Sequence, residues 1–386
     1  MWREIMILDQ ERLNLTNKKR TSRLPWRGQF SPELIEYFIN DICDSSETIY
    51  DPFCGSGTVL FEASITGKTS YGSEINPAAW CLASLSTLSQ FPLNKQESIK
   101  SELRELFSRT DIDSVILKEI STQKEEYIKL ALSSAIILGM KNGKDFNADV
   151  LKKGAKILFQ TLDESTFFIN PAHCYLEDAR YNSLPDQIID AVITSPPYIN
   201  VFNYHQNYRP AIELLGWKPL DAAKSEIGAN RKFRQNRFLT VVQYSIDMGM
   251  VLNELIRVTR DKAKIIMVVG RTSNVLGASF ENSKIIIELA MYTNQLTLKN
   301  QAERVFKNMF GENIIEDILI FEKNSSEKHL IEKQDSINVG LDRLNFALNH
   351  VPEKNMILLQ DAIKKGHSVM ESQQLSISNP IVEFKE

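Results

Sequence analysis

The regular pattern of apolar and polar positions begins at residues 31–43, SPELIEYFINDIC, where apolar residues recur at the helical period. Ser31 stands at an N-cap position and Pro32 at the first helical position, so a helix is predicted. TIYDPF then predicts a short strand ending at Asp51, GTVLFEASITG a helix closed by Gly67, and SYGSEI a second strand ending near Glu74. NPAAWCLASLSTLSQF predicts a further helix, with Asn76 as its cap and Pro77 behind it. Strand, helix, strand, helix is the signature of a parallel doubly wound sheet.

Residues 94–168 break this alternation. Their spacing is helical, with alternating charge and the apolar stretch LALSSAIILGM, and no strand is predicted before HCYLED at 173–178. That is too long for a loop and predicts a helical insertion. The α/β pattern resumes with IIDAVITS, a helix over 241–259, the strand AKIIMVVG, a helix near 281–291, and the strand pair TLKNQAERVF and EDILIFEK. After residue 323 the polar run NSSEKHLIEKQDS predicts a linker to a small helical tail. The expected organisation has four parts: a basic segment with the first half of an α/β domain (1–93), the helical insertion as a candidate target-recognition subdomain (94–168), the second half with a basic loop at 199–240 (169–323), and linker plus tail (324–386).

Composition leaves this picture intact: 386 residues, 43% hydrophobic and 24% charged, supply ample material for a large α/β core. The net charge of −4 hides local asymmetry. Residues 1–30 carry seven basic side chains against three acidic, and residues 201–237 repeat that balance, so two stretches are candidate electrostatic footprints. Cys43, Cys54, Cys81 and Cys174 form no CxxC pair. Neither a metal site nor a disulfide framework is predicted, and reduced thiols in the cytoplasm are expected. The N-terminus has charges within its apolar stretch and does not read as a signal peptide. No run of 18 apolar residues occurs, so no membrane partner is expected.

Two stretches carry candidate chemistry. DPFCGSGT (51–58) sits at the end of the first predicted strand and opens a helix, where open α/β sheets bind ligands. Gly55 and Gly57 allow a tight turn and close approach of a ligand to the backbone. A Gly-x-Gly alone is common in ligand-free turns, but Glu74 ends the next strand, where a carboxylate can accept from ribose hydroxyls. A dinucleotide turn would want a third glycine, where this chain has Leu60. Asp51 disfavours a pyrophosphate and suits a cofactor with a cationic centre and an ammonium group; S-adenosylmethionine has both. Asp178, at a third acidic strand end, can accept from an adenine amino group.

TSPPY (194–198) ends a buried strand with two prolines, which cannot continue a sheet ladder and force a stiff, extended exit. Ser195 Oγ and the Ser195 and Pro196 carbonyls can then converge as acceptors, with the Tyr198 ring beside them. Acceptors next to an aromatic face suit an exocyclic amino group on a flat base. Ring-carbon methylation of cytosine would need a cysteine nucleophile, typically after proline, and no Pro-Cys pair occurs.

DPFCGSGT and TSPPY together resemble the cofactor and catalytic motifs of the amino-methylating (N4-cytosine and N6-adenine) DNA methyltransferases of restriction-modification systems, and RGQFSPELIEYF resembles the segment that closes over the methionine end of the cofactor. The resemblance covers roughly residues 20–323, in an order similar to the gamma arrangement. It implies a Rossmann-like, mostly parallel seven-stranded sheet, S-adenosylmethionine as donor, and a base flipped out of double-stranded DNA. It implies that Phe30, Ser31, Pro32, Asp51, Phe53, Gly55, Gly57, Glu74 and Asp178 hold the cofactor, and that Ser195, Pro196, Pro197 and Tyr198 hold the base. Serine before the prolines favours cytosine N4 over adenine N6, and a restriction endonuclease encoded nearby is an expected partner. The aromatic and basic run after the catalytic turn, including Tyr204, Arg209 and Arg231, is a candidate DNA-contacting loop. Arg271 is a candidate lining residue and Phe306 a candidate for stacking on the base. The rival readings are an RNA methyltransferase and a non-catalytic cofactor- or DNA-binding protein.

Overall fold

The computed structural model describes residues 8–164, 168–199, 204–229, 233–307, 311–325 and 329–380. The chain divides into two compact units, the first formed by Lys19–Asp178, Asn203–Lys224 and Leu375–Glu386, the second by Met1–Lys18, Ala179–Phe202 and Ser225–Gln374.

In the first unit, β1 (Thr48–Asp51), β2 (Thr69–Glu74) and β3 (Ala172–Leu176) form parallel pairs in the order β3-β2-β1. Helix Thr58–Ile65 joins β1 to β2. Helix Pro77–Ala83 follows β2, and Asn76 Oδ1 caps it by accepting the Ala78 and Ala79 N–H groups at 2.9 and 3.4 Å. The predicted continuous helix from Asn76 tightens after Ala83 into a 3₁₀ segment, Ser84–Gln90. Its hydroxyls explain the change: Ser86, Thr87 and Ser89 each donate to the carbonyl three residues back, at 2.7–2.9 Å, which favours the tighter winding. The helix predicted at 31–43 likewise runs as Pro32–Tyr37 and then widens into a π turn at Phe38–Ile42.

Between β2 and β3 lie helices Leu93–Ser108, Ile112–Thr122, Glu126–Met140 and Ala148–Asp163. Glu126–Met140 is buried nearly all round, because apolar residues occupy every face of LALSSAIILGM. Its Ile128, Leu132 and Ile136 share one core with Trp80, Leu85 and Trp217. Arg20 and Arg23, two members of the basic N-terminal stretch, both pair with buried Glu62, and Arg23 also reaches Glu164 at 2.8 Å.

In the second unit, β4 (Ile189–Thr194) runs parallel to β5 (Thr259–Gly270). A hairpin the sequence pattern does not predict follows, β6 (Thr272–Val275) with β7 (Ala278–Glu281). Two long strands, β8 (Leu296–Lys307) and β9 (Asn313–Lys323), complete the order β4-β5-β9-β8, with β9 antiparallel to both its neighbours. Helices Leu239–Val258 and Asn282–Met291 pack in this unit, as does Lys333–Ala347, which begins inside the polar run after 323 behind a capping box of Glu332 and Asp335. The fold class is α/β with mostly parallel strands. Among the described residues no helix is long and apolar enough to cross a membrane, and all four cysteines are free thiols.

Candidate active site

The first unit builds a ligand-shaped turn. Beyond β1 the chain bends through Phe53, Gly55 and Gly57 into helix Thr58–Ile65, and buried Asp51 closes the bend by accepting the Phe53 N–H at 3.1 Å. Gly57 sits in the left-handed region at φ +87°, and a Cβ there would lie 2.9 Å from Ala83 Cα, so no other residue fits without movement. Gly55, at φ +52°, donates its N–H to Glu74 Oε2 at 2.9 Å, while Glu74 Oε1 accepts the Asn76 N–H at 2.8 Å. One carboxylate therefore ties the turn after β1 to the end of β2. Burial pushes the Glu74 carboxyl up to about 7; the two N–H donors oppose that rise and the Asp51 charge adds to it.

The segment ahead of the first helix reaches the same turn. Ser56 Oγ donates to Gln29 Oε1 at 3.0 Å, and the Phe30 carbonyl accepts from Ser22 Oγ at 3.0 Å. Beside them, before buried Pro32, Ser31 occupies its predicted position at the helix start, yet its side chain makes no cap hydrogen bond. Its Oγ is buried with no hydrogen-bond partner among the described residues. An orphaned buried hydroxyl costs about 1–3 kcal/mol, which a polar ligand lying on the turn would recover. Bare glycine backbone, buried Asp51, acceptor Glu74 and this unused hydroxyl fit S-adenosylmethionine. Asp178 is buried two residues beyond β3. Of the loop candidates in this unit, Tyr204 accepts through its carbonyl from Asn76 Nδ2 at 2.9 Å, whereas Arg209 pairs with Glu213 one helical turn on, at 2.7 Å.

The second unit organises TSPPY. Parallel pairing places Thr194 opposite Met267, and β5 runs three residues further to Gly270, which lies opposite Glu316 on β9. Tyr198 fills the space a side chain at 270 would need: a Cβ on Gly270 would come within 2.6 Å of the ring. The Tyr198 hydroxyl lies 3.2 Å from Ser195 Oγ and donates to Glu316 Oε1 at 3.3 Å. Arg304 donates to Glu316 Oε2 at 2.7 Å. Burial raises the Glu316 carboxyl above its ordinary range, against the pull of the Arg304 guanidinium. Asn282, fully buried, donates to the Gly270 carbonyl at 2.8 Å and accepts the Ile199 N–H at 3.3 Å, pinning the chain just behind Tyr198.

Arg271 is held by two carboxylates, Asp317 at 2.9 Å from its Nε and Glu303 at 2.6 Å from Nη1. Phe306 is half-buried with the Arg304 guanidinium 4.5 Å from its ring centre, a cation–π contact. Arg231 lies outside the described residues. The pattern reading missed Glu316, Arg304 and Asn282. The available signal was the pair of charged residues, Glu316 and Asp317, directly ahead of the apolar run ILIF.

Glycine turn, acidic strand ends and parallel strands define the class as an α/β fold with mostly parallel strands. Residues 2–83, about a fifth of the chain, match the family model of N6/N4 DNA methylases. Type II methyltransferase M.MjaII of Methanocaldococcus jannaschii is 32% identical over 122 residues, 30% of this chain and 23% of that protein. Type II methyltransferase M.BsoBI of Geobacillus stearothermophilus is 25% identical over 262 residues, 50% of this chain and 52% of that protein. The chain thus spans about half of one relative and under a quarter of the other. TrmN of Thermus thermophilus aligns over 77% of this chain and 50% of its own, at 12% identity and a TM-score of 0.35, a likeness too distant to bear on function.

Proposed function

We propose that the protein methylates the exocyclic amino group of a flipped-out base in double-stranded DNA, cytosine N4 in preference to adenine N6, as the modification enzyme of a restriction-modification system with a cognate endonuclease. The observation that carries this reading is the hydroxyl pair of Ser195 and Tyr198 on a proline turn, in a chain whose residues 2–83 match the N6/N4 DNA methylase model. Phe30, Ser31, Pro32, Asp51, Phe53, Gly55, Gly57, Glu74 and Asp178 would hold S-adenosylmethionine, which when bound supplies an electrophilic methyl group. The chain's own part is to orient the amine. Ser195 Oγ and the rigid carbonyls of the turn accept its hydrogens, drawing the nitrogen lone pair out of conjugation with the ring and towards attack. The Tyr198 ring packs on the base face, and no nucleophile is required of the protein. Serine before the prolines supports cytosine.

Tyr204, Arg209 and Arg231, in the basic loop, are proposed to meet the DNA backbone, Arg271 to line the site and Phe306 to stack on the base. The helices of residues 94–168 are the proposed site of sequence reading. A tritium-labelled methyl donor offered in parallel to DNA and tRNA tests the substrate class: label is expected on DNA, and label on tRNA alone would transfer the reading to an RNA methyltransferase.

A further inference from the structure

The hydrogen bonds around TSPPY have a direction. A carboxylate only accepts, so the single hydroxyl hydrogen of Tyr198 goes to Glu316 Oε1, at 3.3 Å. Tyr198 oxygen can then only accept from Ser195, at 3.2 Å. Both distances are at the long end for hydroxyl hydrogen bonds, which at catalytic sites often tighten only around substrate. The hydrogen of Ser195 is consumed in this way, and what remains on its Oγ is lone pairs.

Glu316 does not hold this role by itself. Arg304 grips its other oxygen at 2.7 Å, and is itself fixed by donating Nε to the Leu13 carbonyl at 2.9 Å and by lying over Phe306. Arg304 and Glu316 are both largely buried, at 8% and 13% side-chain exposure, so the pair is shielded from competing water.

We propose that Glu316, anchored by Arg304, is a positioning residue that sets the direction of the Glu316–Tyr198–Ser195 hydrogen-bond chain, so that Ser195 offers only acceptor lone pairs to the substrate. This rests on the amino-methyltransferase reading and adds a source of specificity to it. An amino group on the base meets acceptors and is held. A carbonyl at the same place, as in thymine, meets lone pair against lone pair and is refused.

Glu316→Gln tests the proposal because it keeps the shape and reverses the chain. The amide oxygen turns to the Arg304 cation and the NH₂ group faces Tyr198, whose hydrogen must then go to Ser195, leaving the serine hydrogen free to point at the substrate. The single-turnover rate of methyl transfer to DNA is expected to fall by about tenfold or more, with S-adenosylmethionine affinity within about twofold of wild type. In a Tyr198→Phe background the same change is expected to have no further effect, because the link is already cut. A wild-type rate in Glu316→Gln, or additive losses in the double variant, would overturn the proposal while leaving the methyltransferase reading intact. Should Glu316→Gln fail to fold, Tyr198→Phe alone decides: a loss of about tenfold supports the chain and an unchanged rate overturns it. Absence of methyl transfer by the wild type defeats the underlying reading as well.

Discussion

Glu74 combines a structural role with the ligand-binding role proposed for it. Its two oxygens hold the Gly55 and Asn76 N–H groups, and its carboxyl sits near 7, so its charge changes within the neutral range. The folded state holds this proton more tightly than the unfolded chain does. Its contribution to stability is therefore greatest below the ordinary value of 4.5 and declines as pH rises through about 7. Binding runs the other way: an ionised acceptor is the form that suits ribose hydroxyls, so S-adenosylmethionine should bind roughly tenfold more tightly at pH 8 than at pH 6. Calorimetric titration across that range checks it, and the slope should vanish in Glu74→Gln. Gly57→Ala should destabilise by more than ~1 kcal/mol and abolish cofactor binding, because it combines a left-handed backbone with a Cβ 2.9 Å from Ala83; a wild-type melting curve would contradict it. The placement of Asp51, Gly55, Gly57 and Glu74 at strand ends and in the turn between them was legible in the sequence. The unused hydroxyl of Ser31 was not, since a serine before proline reads first as a cap.

At the scale of elements, apolar runs located β4 and β5, because a buried parallel strand needs a near-continuous apolar stretch. They did not reveal the 3₁₀ winding at Ser84–Gln90 or the β6–β7 hairpin. Serine back-bonding decides the first, and the second is a four-residue pairing too short to show a period. Nor could pattern link Ser195 to Glu316: they stand 121 positions apart in the chain, and the register of β9 on β5 joins them. The β5 terminus is the element on which the TSPPY turn rests. Gly270→Ala should push the Tyr198 ring out of place, given a Cβ 2.6 Å from it, and slow methyl transfer by about tenfold or more with cofactor affinity unchanged. Parallel transfer and binding assays measure the two, and equal losses in both would contradict the assignment of this turn to chemistry alone.

At the scale of the whole chain, each unit carries its own core, and the second is locked by a pair no composition argument could find. Arg180 and Asp247, both fully buried, meet at 2.6 Å, and Ser372 donates to Asp247 through its N–H and its hydroxyl at 2.9 and 2.6 Å. Arg180 also donates to the Ser372 and Gln373 carbonyls, each at 2.9 Å. The segment after the last strand is thereby part of the unit's interior. Asp247→Ala leaves a buried guanidinium without its counter-ion and should cost about 3–5 kcal/mol, read as a lowered urea midpoint; an unchanged midpoint would contradict this view of the core. Local basic stretches were legible as charge, but Arg20 and Arg23 prove to be spent on Glu62, which lowers the positive charge available to a nucleic acid. The proposal that the chain methylates an amino group in DNA is tested by incubating DNA with the protein and S-adenosylmethionine, then digesting it to nucleosides for mass spectrometry. N4-methylcytosine is the expected product; N6-methyladenine would overturn the choice of base, and DNA without any methylated amino group would contradict the account.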